Sequence, residues 1–248
     1  MDVILLSGGF ARRMEPMSLF IPKALLPVNG RPMIDHILEG LKDSSEIGRV
    51  IIDTNKKFAS QFEYYMANKE RSGFGKRLEL LVEPTMHNNE KFGSIKAIDY
   101  VINYAKVSSD LLIISTDNYY DFSIAKIIEH FKKGGNAAIG VYNLESLEER
   151  RKMGMVSMEG ERVVELQEKP ENPKSSLCSI GIYAFPSSAL GMFGRYVAEG
   201  NNPDAFGYFV DWYCKRNQTE GVVCTGKWFD IGTLESYKHV YELYDQTE

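Results

Sequence analysis

Short apolar runs that alternate with amphipathic helical patterns restrict this chain's fold more than any other feature. Residues 3–6, Val-Ile-Leu-Leu, read as a buried strand that gives way to a glycine-rich turn. Pro32 opens a helix through residue 41, directly after the Asn29-Gly30 turn. Strands at 50–53, 78–82 and 111–115 then alternate with helices at 57–69, 94–104 and 124–131. Strands separated in this way by helices pair in parallel, with helices covering both faces of the sheet.

The second half changes character. Strands at 137–142, 155–158, 163–167 and 179–185 follow with few helices between them, and Glu159-Gly160-Glu161 reads as a hairpin turn. Helices return at 188–198 and 206–215, then a strand at 222–225 and a last helix at 233–244. No Pro/Ser-rich linker, internal repeat or low-complexity tract divides the chain. The expected architecture is a single α/β domain over residues 1–248. Its central sheet is Rossmann-like, mostly parallel and flanked by helices, and is extended by a mixed or antiparallel C-terminal portion.

A chain of 248 residues buries roughly 70% or more of its unfolded surface, enough for a core without metal or disulfide staples. Cys178, Cys214 and Cys224 form no CxxC pair and stand apart from the four histidines. That pattern argues for reduced thiols and against structural zinc. The net charge of −5 gives no general affinity for nucleic acid or anionic membrane. No basic segment precedes the first apolar run, and no apolar stretch approaches the roughly 20 residues that span a bilayer. The expectation is a cytoplasmic chain with neither nucleic acid nor membrane as partner.

The loop after the first strand runs Ser7-Gly8-Gly9-Phe10-Ala11-Arg12-Arg13-Met14-Glu15-Pro16, and Pro22-Lys23-Ala24-Leu25-Leu26-Pro27-Val28 follows. Ligands of a parallel α/β sheet bind beyond the carboxyl ends of its strands. Glycines there let backbone N–H groups approach phosphate oxygens, and a Gly–Gly pair with φ > 0 would form an anion-binding nest. Arg13 and Lys23 place positive charge where a triphosphate would lie. Neither GxxxxGK[ST] nor GxGxxG is present, so neither a Walker-type NTPase nor a Rossmann dehydrogenase is indicated. Taken alone, the same loop also reads as a tight surface turn with solvated basic residues.

In its order and spacing this run, GG-x-A-x-R-M-x-P followed by PKALLPV, resembles the signature of the sugar-1-phosphate nucleotidyltransferases. That family includes glucose-1-phosphate thymidylyl-, uridylyl- and cytidylyltransferases and mannose- and heptose-1-phosphate guanylyltransferases. Ala11 stands where the family pattern has glycine, a change expected to matter little, and Arg12 where it has Ser or Thr. Three further stretches fit in the expected order. Leu111 to Asn118 is similar to the family's strand ending in a metal-binding aspartate, Glu168-Lys169-Pro170 to its EKP element, and Trp228-Phe229-Asp230-Ile231-Gly232-Thr233 to its W-x-D-x-G-T element.

The resemblance implies an enzyme that condenses a nucleoside triphosphate with a hexose or heptose 1-phosphate, releasing pyrophosphate. Residues 1–135 would bind the nucleotide and residues 136–248 the sugar phosphate. Asp117 and Asp230 would hold Mg²⁺, which takes oxygen ligands and keeps several waters, while Arg13 and Lys23 would stabilise the leaving pyrophosphate. Ser7, Gly8, Gly9, Gly93 and Ser94 are the expected nucleotide contacts. Glu83, where the family often has Gln, would read the base, and a pure acceptor there favours guanine or cytosine. Gly154, Glu168, Lys169 and Gly181 are the expected sugar-phosphate contacts. No left-handed β-helix is expected after the last element, and the family's dimers and tetramers make a homo-oligomer an admissible state. Two rivals remain: a non-catalytic nucleotide-sugar sensor on the same fold, and a nucleotide-sugar-dependent glycosyltransferase. The second would normally carry a DxD motif, which Asp117-Asn118-Tyr119 does not supply.

Overall fold

The computed structural model describes residues 1–245, and they cluster into two compact units. The first comprises Met1–Lys91, Ile114–Asp121 and the chain from Gly226 onward; the second comprises Phe92–Ile113 and Phe122–Thr225. Residues 92–113, which precede position 135, thus group with the second unit.

In the first unit, strands Arg77–Glu83, Arg49–Asn55 and Asp2–Leu6 lie side by side in that order, all parallel. Val3, Ile4, Leu5, Val50, Ile51 and Ile52 are wholly buried, as expected of strands covered on both faces. Arg49 joins the amino ends of these strands, with Nη2 2.9 Å from Asp2 Oδ2 and Nη1 2.9 Å from Glu79 Oε2. The carboxyl ends, at Leu6, Asp53–Asn55 and Glu83, therefore open on the opposite edge. Helix Met33–Lys42 starts behind Pro32 and buries Met33, Ile34, Ile37, Leu38 and Leu41, one stripe at helical spacing. Helix Ala59–Arg71 turns Phe62 and Tyr65 inward.

The second unit has the mixed character expected of the C-terminal half. Its strands run in the order Leu177–Phe185, Ala137–Asn143, Thr219–Val223, Arg162–Glu168, Gly154–Glu159. Ala137–Asn143 and Thr219–Val223 pair in parallel, and the other three neighbouring pairs are antiparallel. Gly160, at φ 61°, turns the hairpin that pairs Glu159 with Arg162. Helices Leu190–Ala198 and Phe206–Cys214 pack through aromatic rings, Phe193 stacking on Phe209 at 4.4 Å and Phe185 meeting Tyr213 edge-on at 5.2 Å.

Some elements depart from expectation. The strand expected at 222–225 lies at Thr219–Val223, because Thr219, Gly221 and Val222 are the buried residues and Val223 is exposed. The helix expected from residue 188 begins as a 3₁₀ turn, Ser187–Ala189. The long loop at 85–92 is self-organised: Glu90 accepts from the Met86 and His87 backbone N–H groups, capping the short turn Asn88–Glu90. Two small antiparallel pairs were not foreseen, Pro27–Val28 with Arg31–Pro32 and Asn118–Tyr120 with Trp228–Asp230. Among the described residues, no helix is long and apolar enough to cross a membrane.

Candidate active site

The second of these pairs joins the two expected metal ligands. Its register sets Asp230 opposite Asn118 and Trp228 opposite Tyr120. The Ile231 N–H donates to the Asp117 carbonyl at 2.9 Å, and the Lys227 N–H donates to Asp121 Oδ1 at 2.7 Å, closing the ribbon at both ends. Asp117, one residue before one strand of the ribbon, and Asp230, at the end of the other, are thus brought together although far apart in sequence. The Trp228 indole N–H donates to Asn118 Oδ1 at 3.0 Å, and Asn118 Nδ2 donates to Asp117 Oδ1 at 2.9 Å. Both bonds require the same orientation of the Asn118 amide. One oxygen of Asp117 is thereby fixed, and the other, Oδ2, lies 3.3 Å from Lys23 Nζ.

The apolar residues of the loop explain how its charges are held. Met14, Leu26, Val28, Tyr119, Ile231, Tyr237 and Val240 share one buried cluster. Arg13 adjoins Met14, Lys23 lies just before Leu26, Asp117 just before Tyr119, and Asp230 just before Ile231. Each charged side chain is therefore carried by a neighbouring anchor in one core. The Tyr237 hydroxyl donates to the Pro27 carbonyl at 2.7 Å, tying the last helix to the loop. A Cβ built at Gly232 would lie 3.1 Å from Asp230 Oδ2 and 3.2 Å from Arg13 Nη2, so glycine leaves room for both groups. Arg13, Lys23, Asp117 and Asp230 form one group.

The glycine turn differs from the expected nest. Gly8 and Gly9 are not among the positive-φ residues; the left-handed residue of the turn is Ala11, at φ 46° and ψ 44°. A side chain in that conformation costs about 1–2 kcal/mol, so the substitution of Ala for the family's glycine is a real strain, contrary to expectation. Glycine at position 8 answers a different need. A Cβ there would collide with Glu83 Oε1 and stand 2.9 Å from Asp53 Oδ2. Gly9 has open space, the Gly8 carbonyl accepts from Asn55 Nδ2 at 3.0 Å, and the buried Ser7 hydroxyl lies 2.9 Å from Thr116 Oγ1. Because Thr116 Oγ1 already donates to the Leu6 carbonyl, Ser7 is the donor of that bond.

Beneath Gly8 lies a feature that sequence reading missed. Asp53 and Glu83, on adjacent parallel strands, are 1% and 3% exposed. Glu83 accepts from Thr85 Oγ1 at 3.3 Å and faces Asp53, whose two carboxylate oxygens have no donor. Burial, and next the neighbouring Glu83 carboxylate, push the Asp53 carboxyl well above the usual carboxylate range. Glu83 in this structure is turned into the protein, away from solvent.

The remaining expected residues belong to the second unit. Gly154 is the register partner of Glu168, and a Cβ there would meet Glu168 Oε2 at 3.2 Å. Gly207, unflagged by sequence, lies against the same oxygen, so that any side chain at this position would strike it. Burial raises the Glu168 carboxyl above its ordinary range, and Lys169, with Nζ 4.0 Å from Oε1, opposes that rise. Lys169 itself adopts φ 48°, a left-handed backbone fixed by its N–H donating to the Met153 carbonyl at 3.0 Å. Strain held by surrounding bonds is common where a side chain must be aimed. Gly181, at φ 75°, sits where the pairing with Ala137–Asn143 breaks register between Ser179 and Tyr183, as at a bulge. Gly93 and Ser94 also lie in this unit. The Ser94 hydroxyl donates to the Asp204 carbonyl and the Ile95 N–H to the Pro203 carbonyl, which occupies the start of their helix.

Two aspartates with oxygen donors, one half-exposed, fit Mg²⁺, which is commonly bound through one or two carboxylates plus waters and substrate phosphates. A family model described as nucleotidyl transferase matches residues 2–247. A protein of Sulfolobus acidocaldarius named provisionally as a mannose-1-phosphate guanyltransferase is 26% identical over 244 residues, 96% of this chain and 62% of that protein. The bifunctional protein GlmU of Methanocaldococcus jannaschii is 24% identical over 247 residues, 98% of this chain and 55% of the other. The chain thus spans between 55% and 62% of these two relatives. A crystal structure from Bacillus anthracis, named provisionally as a glucose-1-phosphate thymidylyltransferase in complex with sucrose, superposes with a TM-score of 0.84. It covers 100% of this chain and 96% of its own at 24% identity, a likeness of fold.

Proposed function

The chain belongs to the nucleotidyl transferase family, and from that premise we propose that it condenses a nucleoside triphosphate with a sugar 1-phosphate, forming a nucleoside diphosphate sugar and pyrophosphate. The observation that carries this reading is the ribbon of Asn118–Tyr120 with Trp228–Asp230, which gathers Asp117 and Asp230 beside Arg13 and Lys23. Two carboxylates with two cations suit a reaction whose substrates and leaving group are all phosphates.

The sugar phosphate oxygen attacks the α-phosphorus in line with the departing pyrophosphate. That nucleophile is already ionised, so no general base is required. Asp117 and Asp230 would hold Mg²⁺, which when bound would neutralise charge on the α-phosphate. Arg13 and Lys23 receive the negative charge that develops on the pyrophosphate side. The Lys23 ammonium balances Asp117 when no phosphate is present. In the second unit Lys169 binds the incoming phosphate, and Glu168 accepts hydrogen bonds from sugar hydroxyls. The bare backbones of Gly154 and Gly207 leave room for the Glu168 carboxylate.

Asp117→Ala and Asp230→Ala are each expected to lower kcat by roughly 10²-fold or more, the scale of losing a preorganised electrostatic contact. Turnover near wild type at saturating Mg²⁺ in either variant would remove that residue from the metal site.

A further inference from the structure

The proposed reaction gives no part to the two carboxyl groups beneath the glycine turn, and two ionised carboxylates in contact and out of water would repel each other strongly. We propose that Asp53 and Glu83 hold a single proton between them, and that this proton positions the Gly8 turn, so that nucleotide affinity depends on its presence. The proposal rests on the nucleotide reading of that turn.

The geometry supports it from several sides. Asp53 is almost fully buried, and neither of its side-chain oxygens has a donor. A carboxylate left in that condition carries the full penalty of desolvation, which a shared O–H···O bond to Glu83 removes. Gly8 from the turn and Thr85 from beyond the neighbouring strand both lie against the pair, and both are uncharged. Among the described residues, Glu83 is the one charged group that acts on Asp53, so no cation at Asp53 takes the proton's place. Gly8 rests so close to Glu83 Oε1 and Asp53 Oδ2 that there is no room for a methyl group. A shift of either carboxylate towards the turn therefore displaces the Gly8 backbone.

The sign of the effect follows. Burial and mutual repulsion favour the protonated pair, so the intact floor is present on the acid side and is lost as pH rises through its titration. That window lies above the ordinary carboxylate range. Loss of the proton leaves two negative charges under a turn meant for phosphate, and affinity then falls by up to about tenfold per pH unit. A proton on the pair also removes the pure-acceptor character on which a preference for guanine or cytosine at Glu83 would rest.

Two measurements test this. Infrared difference spectra of the wild type against Asp53→Asn, recorded in D₂O near neutral pH, should show the carbonyl band of a protonated buried carboxyl that the variant lacks. Calorimetric titration with ATP, GTP, CTP, UTP and dTTP from pH 5 to 9 identifies the tightest binder. The wild type should lose affinity for it at alkaline pH relative to Asp53→Asn, whose amide donates to Glu83 at every pH. Glu83→Gln, with its amide facing Asp53, serves if Asp53→Asn fails to fold, and should flatten the profile in the same way. Parallel profiles in wild type and variant, or no protonated carboxyl band, would overturn the proposal. If no nucleotide binds at any pH, the nucleotide reading fails separately, and the infrared band still decides whether the proton is shared.

Discussion

Trp228→Phe isolates one hydrogen bond in the proposed metal site. Phenylalanine keeps most of the packing of a side chain that is 8% exposed and removes the indole N–H, which donates to Asn118 Oδ1 at 3.0 Å. The Asn118 carbonyl is then left buried without that donor, a loss of about 2 kcal/mol. In a chain of this size such a loss lowers Tm by roughly 4–8 °C. The functional effect is separable from the thermal one. Asn118 holds Asp117 Oδ1 through its own N–H, and removing the partner that orients a metal ligand typically costs 10–100-fold in metal affinity. Mn²⁺ binding followed by electron paramagnetic resonance, alongside scanning calorimetry, reads both quantities. A lowered Tm with unchanged Mn²⁺ affinity would show that the Trp228–Asn118 link supports the fold and leaves Asp117 untouched. No change in either would mean that the link is not made.

Ala11→Gly should stabilise the chain. Relief of about 1–2 kcal/mol of left-handed strain outweighs the roughly 0.5–1 kcal/mol that glycine's extra freedom costs, for a rise in Tm of about 2–4 °C; a fall would contradict the assigned backbone. Lys169→Ala should raise KM for the sugar phosphate far more than for the nucleotide, whereas Arg13→Ala should depress turnover. Steady-state kinetics with each substrate varied decide between them, and the reverse pattern would exchange the two subsites.

Much of this was legible in the residues, and the reason differs from element to element. The helix Ser94–Tyr104 and the strand Leu111–Ser115 match their expected bounds, because a polar loop ending in glycine precedes the first and the second is an unbroken apolar run. Arg13, Lys23, Asp117 and Asp230 could be picked out because the stretches that hold them resemble the signatures of one family, and the buried cluster shows why apolar residues belong to those stretches. The ribbon that joins the aspartates was invisible. Its strands are three residues each, too short for any period, and its Trp228–Asn118 bond spans 110 positions. The Asp53–Glu83 pair was hidden for a related reason. Asp53 reads alone as the polar end of a strand and Glu83 as a base reader, and only their common approach to Gly8 shows that the two carboxyls share one space. Gly207 carried no signal, since its neighbour Glu168 belongs to another element.

The proposed condensation needs both substrates, and pyrophosphate release measures it directly. Purified protein with Mg²⁺ should be offered ATP, GTP, CTP, UTP and dTTP, each crossed with a panel of hexose and heptose 1-phosphates, with the nucleotide sugar detected by mass spectrometry. Pyrophosphate and nucleotide sugar should form in equal amounts for at least one pairing, and neither should form when either substrate or Mg²⁺ is left out. Pyrophosphate released from the triphosphate alone, or no product from any pairing, would contradict it.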